Sequence, residues 1–456
     1  MTVNDTRPGA GRALHAVPLA ADTVTAASAL AAAMDTDATP YILYEKAGDI
    51  LFAAGEAATL RLDRDGLHLT TPHGTSMEPL GDRPLQQIRA GLARLAGDAG
   101  VPPSDWRAYG WAAFEFSYLL HGLPVPENAG TLLYLTLPRH EARLTPGTAE
   151  LRVHDPALAA RWEHAVRNAR PDSTEARVRV DEVNDTGGYR EAAADTIRAI
   201  DGSRLRKVIL SRSVHLTEDI DIIGSYQALR RNNTPARSFL LRLGGMAAAG
   251  ISPQAIIEVS PAGTISTQPL AGTRALTGQP AADASLRDEL LTDPKEIYEH
   301  ALSVKLAQDE IAGVSEPGTV VVEDFMEVVS RGSVQHLASR VSGRRRADAS
   351  CWEAFASVFP AVTASGIPKR LACAEISRRE QSPRGLYSGA VLTVDCHGGF
   401  DAALVLRSVY QKDGKAWLRA GAGLIAQSNP DRELEETREK LRSVSRFLVP
   451  LARKAS

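Results

Sequence analysis

Short runs of alternating apolar and polar residues, joined by tight turns, restrict the fold of this chain more than any other feature. Two such runs follow each other closely, "YILYEKAGDILFAAG" from residue 41 and "ATLRLDRDGLHLTT" from residue 58. Asp65-Gly66 in the second run is a typical hairpin turn. Strands that are joined by such short turns pair in the antiparallel sense, so the sequence predicts antiparallel sheets.

Helical patterns lie between these blocks of strands rather than after every strand. This order predicts an α/β (α+β) fold instead of a parallel sheet with one helix after each strand. The helices are expected at residues 19–34, 84–96, 188–201, 294–312 and 430–453. In the second half, strands are expected at residues 207–216, 238–244, 255–260, 319–323, 335–341, 386–395, 402–410 and 415–420.

Length and composition allow one oversized domain or two ordinary ones, since 44% of the 456 residues are hydrophobic. Residues 1–35 are expected to form a loosely ordered N-terminal segment, polar at first and then containing the Ala-rich helix. Residues 168–187 are polar, but strand-like sequence resumes on both sides. We therefore interpret them as a connection within a domain.

Charge and cysteine content exclude several classes of protein. The 52 basic and 55 acidic residues give a net charge of −3, which argues against nucleic acid or an anionic membrane as a partner. Three scattered cysteines are too few for a disulfide framework. No apolar run reaches the roughly 20 residues that cross a bilayer. Asp5 and Arg7 are not followed by a continuous apolar run, so we do not expect a secretory signal. We expect a cytoplasmic protein.

Paired carboxylates occur near the starts of two helices. Glu296 and Glu299 follow Pro294, and Glu433 and Glu436 follow another proline. Residues three apart share a helix face, so each helix directs two carboxylates the same way. If the two faces converge, the oxygen ligands suit Mg²⁺. The alternative is that acidic residues in the first turn complement the helix dipole.

Lys207 lies on the same face of a predicted strand as Ile209 and Ser211. A lysine that is desolvated among apolar side chains has a lowered pKa and can act as a general base. The alternative is a lysine at the end of a strand that reaches solvent.

Several small-residue turns and isolated polar residues suit a small anion. "PLAGTRA" from residue 269, "PAVTASGIPK" from residue 360 and "LRAGAGLI" from residue 418 offer amides and hydroxyls. Arg407 and Tyr387 are polar groups within apolar strands, and an arginine can bind a carboxylate in bidentate fashion. Structural hydrogen bonding is the alternative for both. His336 is equally consistent with a core histidine.

The motifs are more specific together than singly. In order along the chain they are "KVILSR", "PLAGTR", "DPKEIYEHALSV", "RGSVQHL", "FPAVTASGIPK", "RGLYSGAV", "LRAGAG" and "ELEETREKL". With "YILYE", "GWAAFEF" and "NNTPARSFLL", they resemble the chorismate-utilising enzymes, which include anthranilate, aminodeoxychorismate, isochorismate and salicylate synthases. The likeness covers all but the first 35 residues and is greatest to actinobacterial salicylate synthases of siderophore pathways.

The resemblance implies one catalytic domain over residues 36–456, with two packed antiparallel β-sheets flanked by helices. Residues 36–187 would be mainly structural, and residues 188–456 would carry the active site. The metal ligands of the family, which hold Mg²⁺, match Glu296, Glu299, Glu433 and Glu436. The general base matches Lys207, and the carboxylate clamp matches Tyr387 and Arg407. Other substrate contacts match Gly272, Thr273, Thr363, Gly421 and Lys440. His336 matches a residue that lines the ring pocket, and it is a candidate catalytic residue.

The resemblance also implies the type of reaction. Lys207 favours water over ammonia as the nucleophile, and Ala271 stands where covalent aminodeoxychorismate synthases have a lysine. No amidotransferase segment is present, so we expect a monomer that acts without an amidotransferase subunit. Salicylate synthase or isochorismate synthase activity remains, and the whole-chain likeness favours the first. A non-catalytic chorismate-binding protein is the alternative from another class.

Gln254 departs from the family pattern. Family members have a glutamate after the Ser-Pro turn, where it protonates the departing C4 hydroxyl, whereas this chain has an amide. General acid catalysis contributes on the order of 10²–10⁴-fold, so conversion of chorismate to isochorismate should be impaired. Three explanations stay open: a Glu→Gln variant that traps substrate, an enzyme that acts only on isochorismate, or another acid or water in place of the glutamate.

Overall fold

The computed structural model describes residues 14–35, 38–102, 104–172, 174–332 and 334–452, which form one mixed α/β domain. The helices in this part of the chain are α1 (Thr23–Asp35), α2 (Pro84–Asp98), α3 (Phe116–Leu120), α4 (Pro156–Arg167), α5 (Tyr189–Ile200), α6 (Ile222–Arg231), α7 (Pro280–Thr292), α8 (Pro294–Ala312), α9 (Cys351–Val358), α10 (Lys369–Arg379) and α11 (Pro430–Ser445).

Strands account for most of the remaining regular structure. They are β1 (Leu14–Pro18), β2 (Tyr41–Lys46), β3 (Asp49–Leu62), β4 (Leu67–Thr71), β5 (Gly74–Glu78), β6 (Arg107–Ala112), β7 (Leu133–Thr145), β8 (Thr148–Arg152), β9 (Lys207–His215), β10 (Ile220–Asp221), β11 (Arg237–Leu243), β12 (Met246–Ser252), β13 (Ala255–Val259), β14 (Thr264–Thr267), β15 (Leu270–Ala275), β16 (Val321–Arg331), β17 (Val334–Arg344), β18 (Gly366–Ile367), β19 (Ala390–Asp395), β20 (Phe400–Leu404), β21 (Ser408–Lys412), β22 (Lys415–Leu424) and β23 (Val449–Pro450).

Two arms of antiparallel strands pack face to face. One arm runs from β3 through β2, β11, β12, β21 and β22 to β9, and the other runs from β7 through β6, β19, β20, β13 and β14 to β17. Tyr44 and Phe239 of the first arm share a core with Trp111 and Val391 of the second. The prediction of two packed antiparallel sheets is therefore confirmed.

The arms are joined into one hydrogen-bonded network of 21 strands, which the sequence did not predict. The joint is the pair of long strands β3 and β7, which belong to both arms. Their register shifts between Glu56 and Ala58, beside Gly55 with a φ of 68°. Such a bulge bends and twists a strand, so the two halves of one long strand can belong to different layers.

Helices cover the outer faces of both layers. Helices α1, α4, α6 and α11 bury apolar side chains on the first arm, and α2, α8 and α9 do so on the second. Helices α8 and α11, which carry the paired glutamates, therefore belong to opposite layers. Within the residues that the structure describes, no helix is both long enough and apolar enough to span a bilayer.

The N-terminal segment is more ordered than predicted wherever the structure describes it. Strand β1 pairs with β8, and α1 buries Leu30 and Met34 against the first arm. The sequence did not predict β1, because polar residues surround it and because its pairing partner β8 lies more than 100 residues away in the chain. Residues 1–13, also part of the predicted loose segment, lie outside the described residues.

The predicted strand at residues 402–410 is two strands. β20 ends at Leu404 and β21 begins at Ser408, and Arg407 between them has a φ of 49°. This left-handed conformation interrupts strand pairing, so Arg407 lies in a break rather than inside a strand. The C-terminal helix also ends earlier than expected, at Ser445, and β23 follows it.

Candidate active site

Side-chain caps fix the beginnings of the two glutamate-bearing helices. Asp293 accepts hydrogen bonds from the backbone of Lys295 at 2.9 Å and of Glu296 at 3.4 Å. Asn429 caps α11 in the same way. These caps satisfy backbone N–H groups that would otherwise lack partners, and they place each glutamate pair in the first two turns.

Lys207 forms an ion pair with a predicted metal ligand. Its Nζ lies 3.1 Å from Oε2 of Glu299 on α8, although 92 residues separate the two in sequence. The lysine side chain passes Gly423 of the neighbouring strand β22, where an added Cβ would stand 2.9 Å from the Lys207 Cε. A glycine at position 423 therefore leaves the space through which Lys207 reaches α8.

The glutamates of α11 lie near the same cations. Oε2 of Glu433 is buried and has no hydrogen-bond partner among the described residues, and burial together with the Glu436 charge raises the pKa of Glu433. Burial opposes ionisation of Glu436 as well, but Lys440, Lys207 and Lys295 hold its pKa below the usual value. The structure therefore brings the beginnings of α8 and α11 to one charged cluster, which consists of Glu299, Glu433, Glu436, Lys207 and Lys440.

Glu296 differs from the other three glutamates. Its Oε1 accepts from Arg274 at 3.1 Å, and the same guanidinium binds Asp293 at 2.8 Å and Glu289 at 2.9 Å. Arg274 is a functional candidate that the sequence reasoning did not single out. It connects β15 to α7 and to the start of α8, and it neutralises part of the acidic charge there.

The carboxylates fit a magnesium ion by chemistry, but they do not form a closed cage. No three acidic, histidine or cysteine side chains of the described residues stand close enough together to enclose a metal. Mg²⁺ commonly keeps several waters and takes only one or two protein carboxylates. Glu299, Glu433 and Glu436, with the unpartnered Oε2 of Glu433, suit such an open site.

His336 is held by the turn at Gly272 and Thr273. Its Nδ1 lies 3.1 Å from the carbonyl oxygen of Gly272 and 3.0 Å from Oγ1 of Thr273. A carbonyl only accepts, so Nδ1 carries the proton and Nε2 is the acceptor. Nε2 is buried with no partner among the described residues. Burial, then the charge of Arg407, lowers the pKa of His336 to about 4, so the ring is neutral near pH 7.

A bulge shapes this turn. Pairing of β15 with β17 shifts register between Ala271 and Thr273, and Gly272 between them has a φ of 75°. A Cβ at Gly272 would stand 3.0 Å from Oε2 of Glu296. The "PLAGTR" segment thus approaches both His336 and the beginning of α8. Its contact with a ligand stays a prediction.

Arg407 is a partly buried cation without a carboxylate partner among the described residues. The described residues include no ion pair and no hydrogen bond of its guanidinium, and burial lowers its pKa to about 10. Buried arginines are normally paired. Its charge contributes to the lowered pKa of His336, and its unpaired guanidinium is available to an anion.

Tyr387 contacts other cations. Its buried ring lies 5.7 Å from the guanidinium carbons of both Arg384 and Arg419. These arginines bind the buried carboxylate of Glu380, a network that the sequence analysis missed. The expected clamp of Tyr387 with Arg407 stays a prediction.

The remaining predicted residues form two short contacts. Thr363 Oγ1 donates to Oε1 of Gln254 at 2.9 Å, and Lys440 Nζ donates to the carbonyl oxygen of Gly421 at 2.8 Å. Lys440 also binds Glu436 at 2.7 Å. The second contact belongs to the charged cluster, whereas Gln254 borders a small cavity with Thr267, Ser303 and Glu310.

This arrangement of carboxylates, lysines and an unpaired, partly buried arginine is typical of an enzyme site for a small anionic substrate. The sequence profile described as chorismate binding enzyme matches residues 40–446. The chain therefore belongs to the chorismate-binding enzymes, and the expected family is confirmed.

Individual relatives agree with this assignment. The chain is 40% identical to the salicylate synthase of Mycolicibacterium paratuberculosis over 98% of its own length and 99% of that protein. It is 36% identical to anthranilate synthase component 1 of Halobacterium salinarum, over 63% of this chain and 55% of the relative. The menaquinone-specific isochorismate synthase of Escherichia coli has the same fold, with a TM-score of 0.72, 21% identity and coverage of 95% and 94%.

Proposed function

We propose that this protein is a Mg²⁺-dependent enzyme of the salicylate synthase type, which takes chorismate through isochorismate to salicylate and pyruvate. The observation that carries the proposal is the contact of Lys207 with Glu299 beside Glu433 and Glu436. Addition of water to a metal-bound carboxylic acid requires a general base close to the oxygen ligands of the metal, and these residues provide both. The 40% identity to a salicylate synthase supports the same reaction.

The metal ligands in this proposal are Glu299, Glu433 and Glu436, with Glu296 as a more distant carboxylate because Arg274 already binds it. Bound there, Mg²⁺ would hold the ring carboxylate of chorismate and offset its charge. Lys440, which binds both Glu436 and the Gly421 carbonyl, would border the same carboxylate.

The protein side chains have separate tasks. Lys207 takes the proton from the water that adds at C2. Arg407 binds the enolpyruvyl carboxylate, because its partly buried charge has no other partner among the described residues. Neutral His336 presents Nε2 as an acceptor to a substrate hydroxyl or to water. Gly272 and Thr273 hold that imidazole in place.

The amide at Gln254 should affect the two steps of the reaction differently. Loss of the C4 hydroxyl from chorismate requires a proton, and an amide does not supply one. Elimination of pyruvate from isochorismate moves a hydrogen within the substrate and needs no acid at C4. The substitution therefore favours a second candidate function, an isochorismate pyruvate-lyase with little activity on chorismate.

A replacement acid has weak support. Glu310 lines the same cavity as Gln254, but its Oε1 lies 2.6 Å from Nζ of the buried Lys369. Burial raises the pKa of Glu310 and the Lys369 ammonium opposes that rise. Because the ion pair already occupies its carboxylate, Glu310 serves as the counter-ion of Lys369.

One assay separates the candidates. The protein is incubated with chorismate or with isochorismate, in Mg²⁺ or in EDTA, and products are identified by chromatography. Salicylate and pyruvate from both substrates, only with Mg²⁺, support the first proposal. Turnover of isochorismate alone supports the lyase, isochorismate without pyruvate supports an isochorismate synthase, and binding without any product supports a non-catalytic protein. Size-exclusion chromatography tests the expected monomer.

A further inference from the structure

The carboxylates of the charged cluster already have cations. Lys207 Nζ lies 3.1 Å from Oε2 of Glu299, and Lys440 Nζ lies 2.7 Å from Oε1 of Glu436. Each ammonium therefore occupies a carboxylate oxygen that the proposed function assigns to the metal. Among the described residues, Glu299 is the only hydrogen-bond acceptor of Lys207, whereas Lys440 also donates to Gly421.

The charges balance in a specific way. Glu299, Glu433 and Glu436 would repel one another without nearby cations, and the repulsion is strongest where solvent is partly excluded. Lys207 and Lys440 together carry the same charge as one Mg²⁺. Exchange of two ammonium groups for one divalent ion leaves the net charge of the cluster unchanged, while the metal takes the same oxygen lone pairs.

We propose that Lys207 and Lys440 are internal counter-ions of this cluster and that Mg²⁺ displaces their ammonium groups from Glu299 and Glu436 when it binds. This inference rests on the proposed function, because the metal site is part of it. Displacement would leave Lys207 without a carboxylate partner and free to contact the attacking water. The displaced Lys207 ammonium would pass one proton to solvent before it accepts a proton from the attacking water, and the positive charge of a nearby Mg²⁺ would favour that loss.

The inference predicts that loss of a lysine strengthens metal binding. Calorimetric titration with MgCl₂ should give a Kd about tenfold lower for Lys207→Met than for the unsubstituted protein, a difference of about 1.4 kcal/mol. The effect of Lys440→Met should have the same sign and be smaller, because its side chain is 46% exposed and solvent screens the pair.

Two controls separate charge from other effects. Lys207→Arg keeps the cation and should bind Mg²⁺ no more tightly than the unsubstituted protein. Lys305→Met removes a lysine from the same helix α8, where its partner Asp309 is exposed, and should leave the Kd unchanged. Circular dichroism checks that each variant is folded.

Thermal unfolding gives an independent readout. In EDTA, Lys207→Met should melt below the unsubstituted protein, and saturating MgCl₂ should raise its Tm by more, since a ligand stabilises according to its affinity. Equal or weaker Mg²⁺ binding by both methionine variants, with normal binding by the unsubstituted protein, overturns this inference and leaves the proposed function intact. Failure of the unsubstituted protein to bind Mg²⁺, even with chorismate present, overturns both.

Discussion

The Thr363 hydroxyl donates a hydrogen bond of 2.9 Å to the amide oxygen of Gln254, and Gln254 is only 6% exposed. With its oxygen occupied, the amide has its NH₂ group left for a ligand. That group donates a hydrogen bond but does not release a proton at neutral pH. The site can therefore orient an oxygen of the substrate without helping it to leave.

Gln254→Glu should raise the initial rate of chorismate consumption at least about tenfold, the low side of general acid catalysis. The glutamate has nearly the same shape and restores an acid next to Thr363. The rate is followed by chromatography at saturating Mg²⁺. Gln227→Glu, a buried glutamine on α6 that binds Arg231, is the matched control and should give no increase. An unchanged rate in Gln254→Glu would rule out the missing-acid explanation.

Arg407→Met should weaken substrate binding and stabilise the ligand-free protein. A charge-assisted pair with a carboxylate contributes roughly 1.5–3 kcal/mol, so KM should rise on the order of 10–100-fold. The free energy of unfolding should rise by up to about 1 kcal/mol, because an unpaired and partly buried charge is removed. Kinetics and urea denaturation measure the two effects.

Arg237→Met provides the contrast to the Arg407 variant. Arg237 is buried but binds Asp401 through two hydrogen bonds of 2.8 and 2.7 Å. Its loss leaves the buried Asp401 with Lys46 as its remaining cation and should lower the free energy of unfolding by up to about 3 kcal/mol. If both methionine variants lose stability equally, Arg407 has a structural partner and the clamp is wrong.

The sequence predicted the parts of the site that depend on local patterns. Helix periodicity and capping residues placed Glu299 and Glu436 in the first two turns of their helices, and the structure agrees. The contact between Lys207 and Glu299 depends on tertiary packing, so the residue pattern did not predict it, and the family resemblance implied only that both residues belong to one active site. Arg407 was assigned to a continuous strand because a positive φ at a residue other than glycine leaves no signal in composition.

Glu380 shows a second reason for failure. It lies in the charged stretch "SRREQSPR", which is typical of an exposed turn. The structure buries its carboxylate between Arg384 and Arg419, with further hydrogen bonds from Ser211. The two arginines neutralise the carboxylate and so make its burial possible. One sequence does not reveal which arginines pair with a given carboxylate.

Gly423→Ala should slow water addition without unfolding the protein. The new Cβ would stand 2.9 Å from Lys207 Cε, and the flexible lysine would shift away from Glu299. A displacement of about 1 Å at a catalytic group can cost on the order of 10²-fold in rate. The rate is measured in the Gln254→Glu background, where chorismate turnover is fast enough to compare. Gly97→Ala on α2, with open space around it, should not change the rate.

His336→Gln should reduce the loss of stability on acidification. Burial lowers the folded-state pKa of His336 to about 4, below its unfolded value of about 6.5. Below about pH 6.5 the unfolded chain therefore binds a proton that the folded protein refuses, so stability falls as the pH falls towards about 4. From these values His336 accounts for about 2 kcal/mol of the decrease between pH 7 and pH 5. Urea denaturation at both pH values measures it, with the exposed His397→Gln as control. An equal decrease in His336→Gln and the unsubstituted protein would show that the imidazole titrates normally and that its Nε2 is hydrated rather than reserved for a ligand.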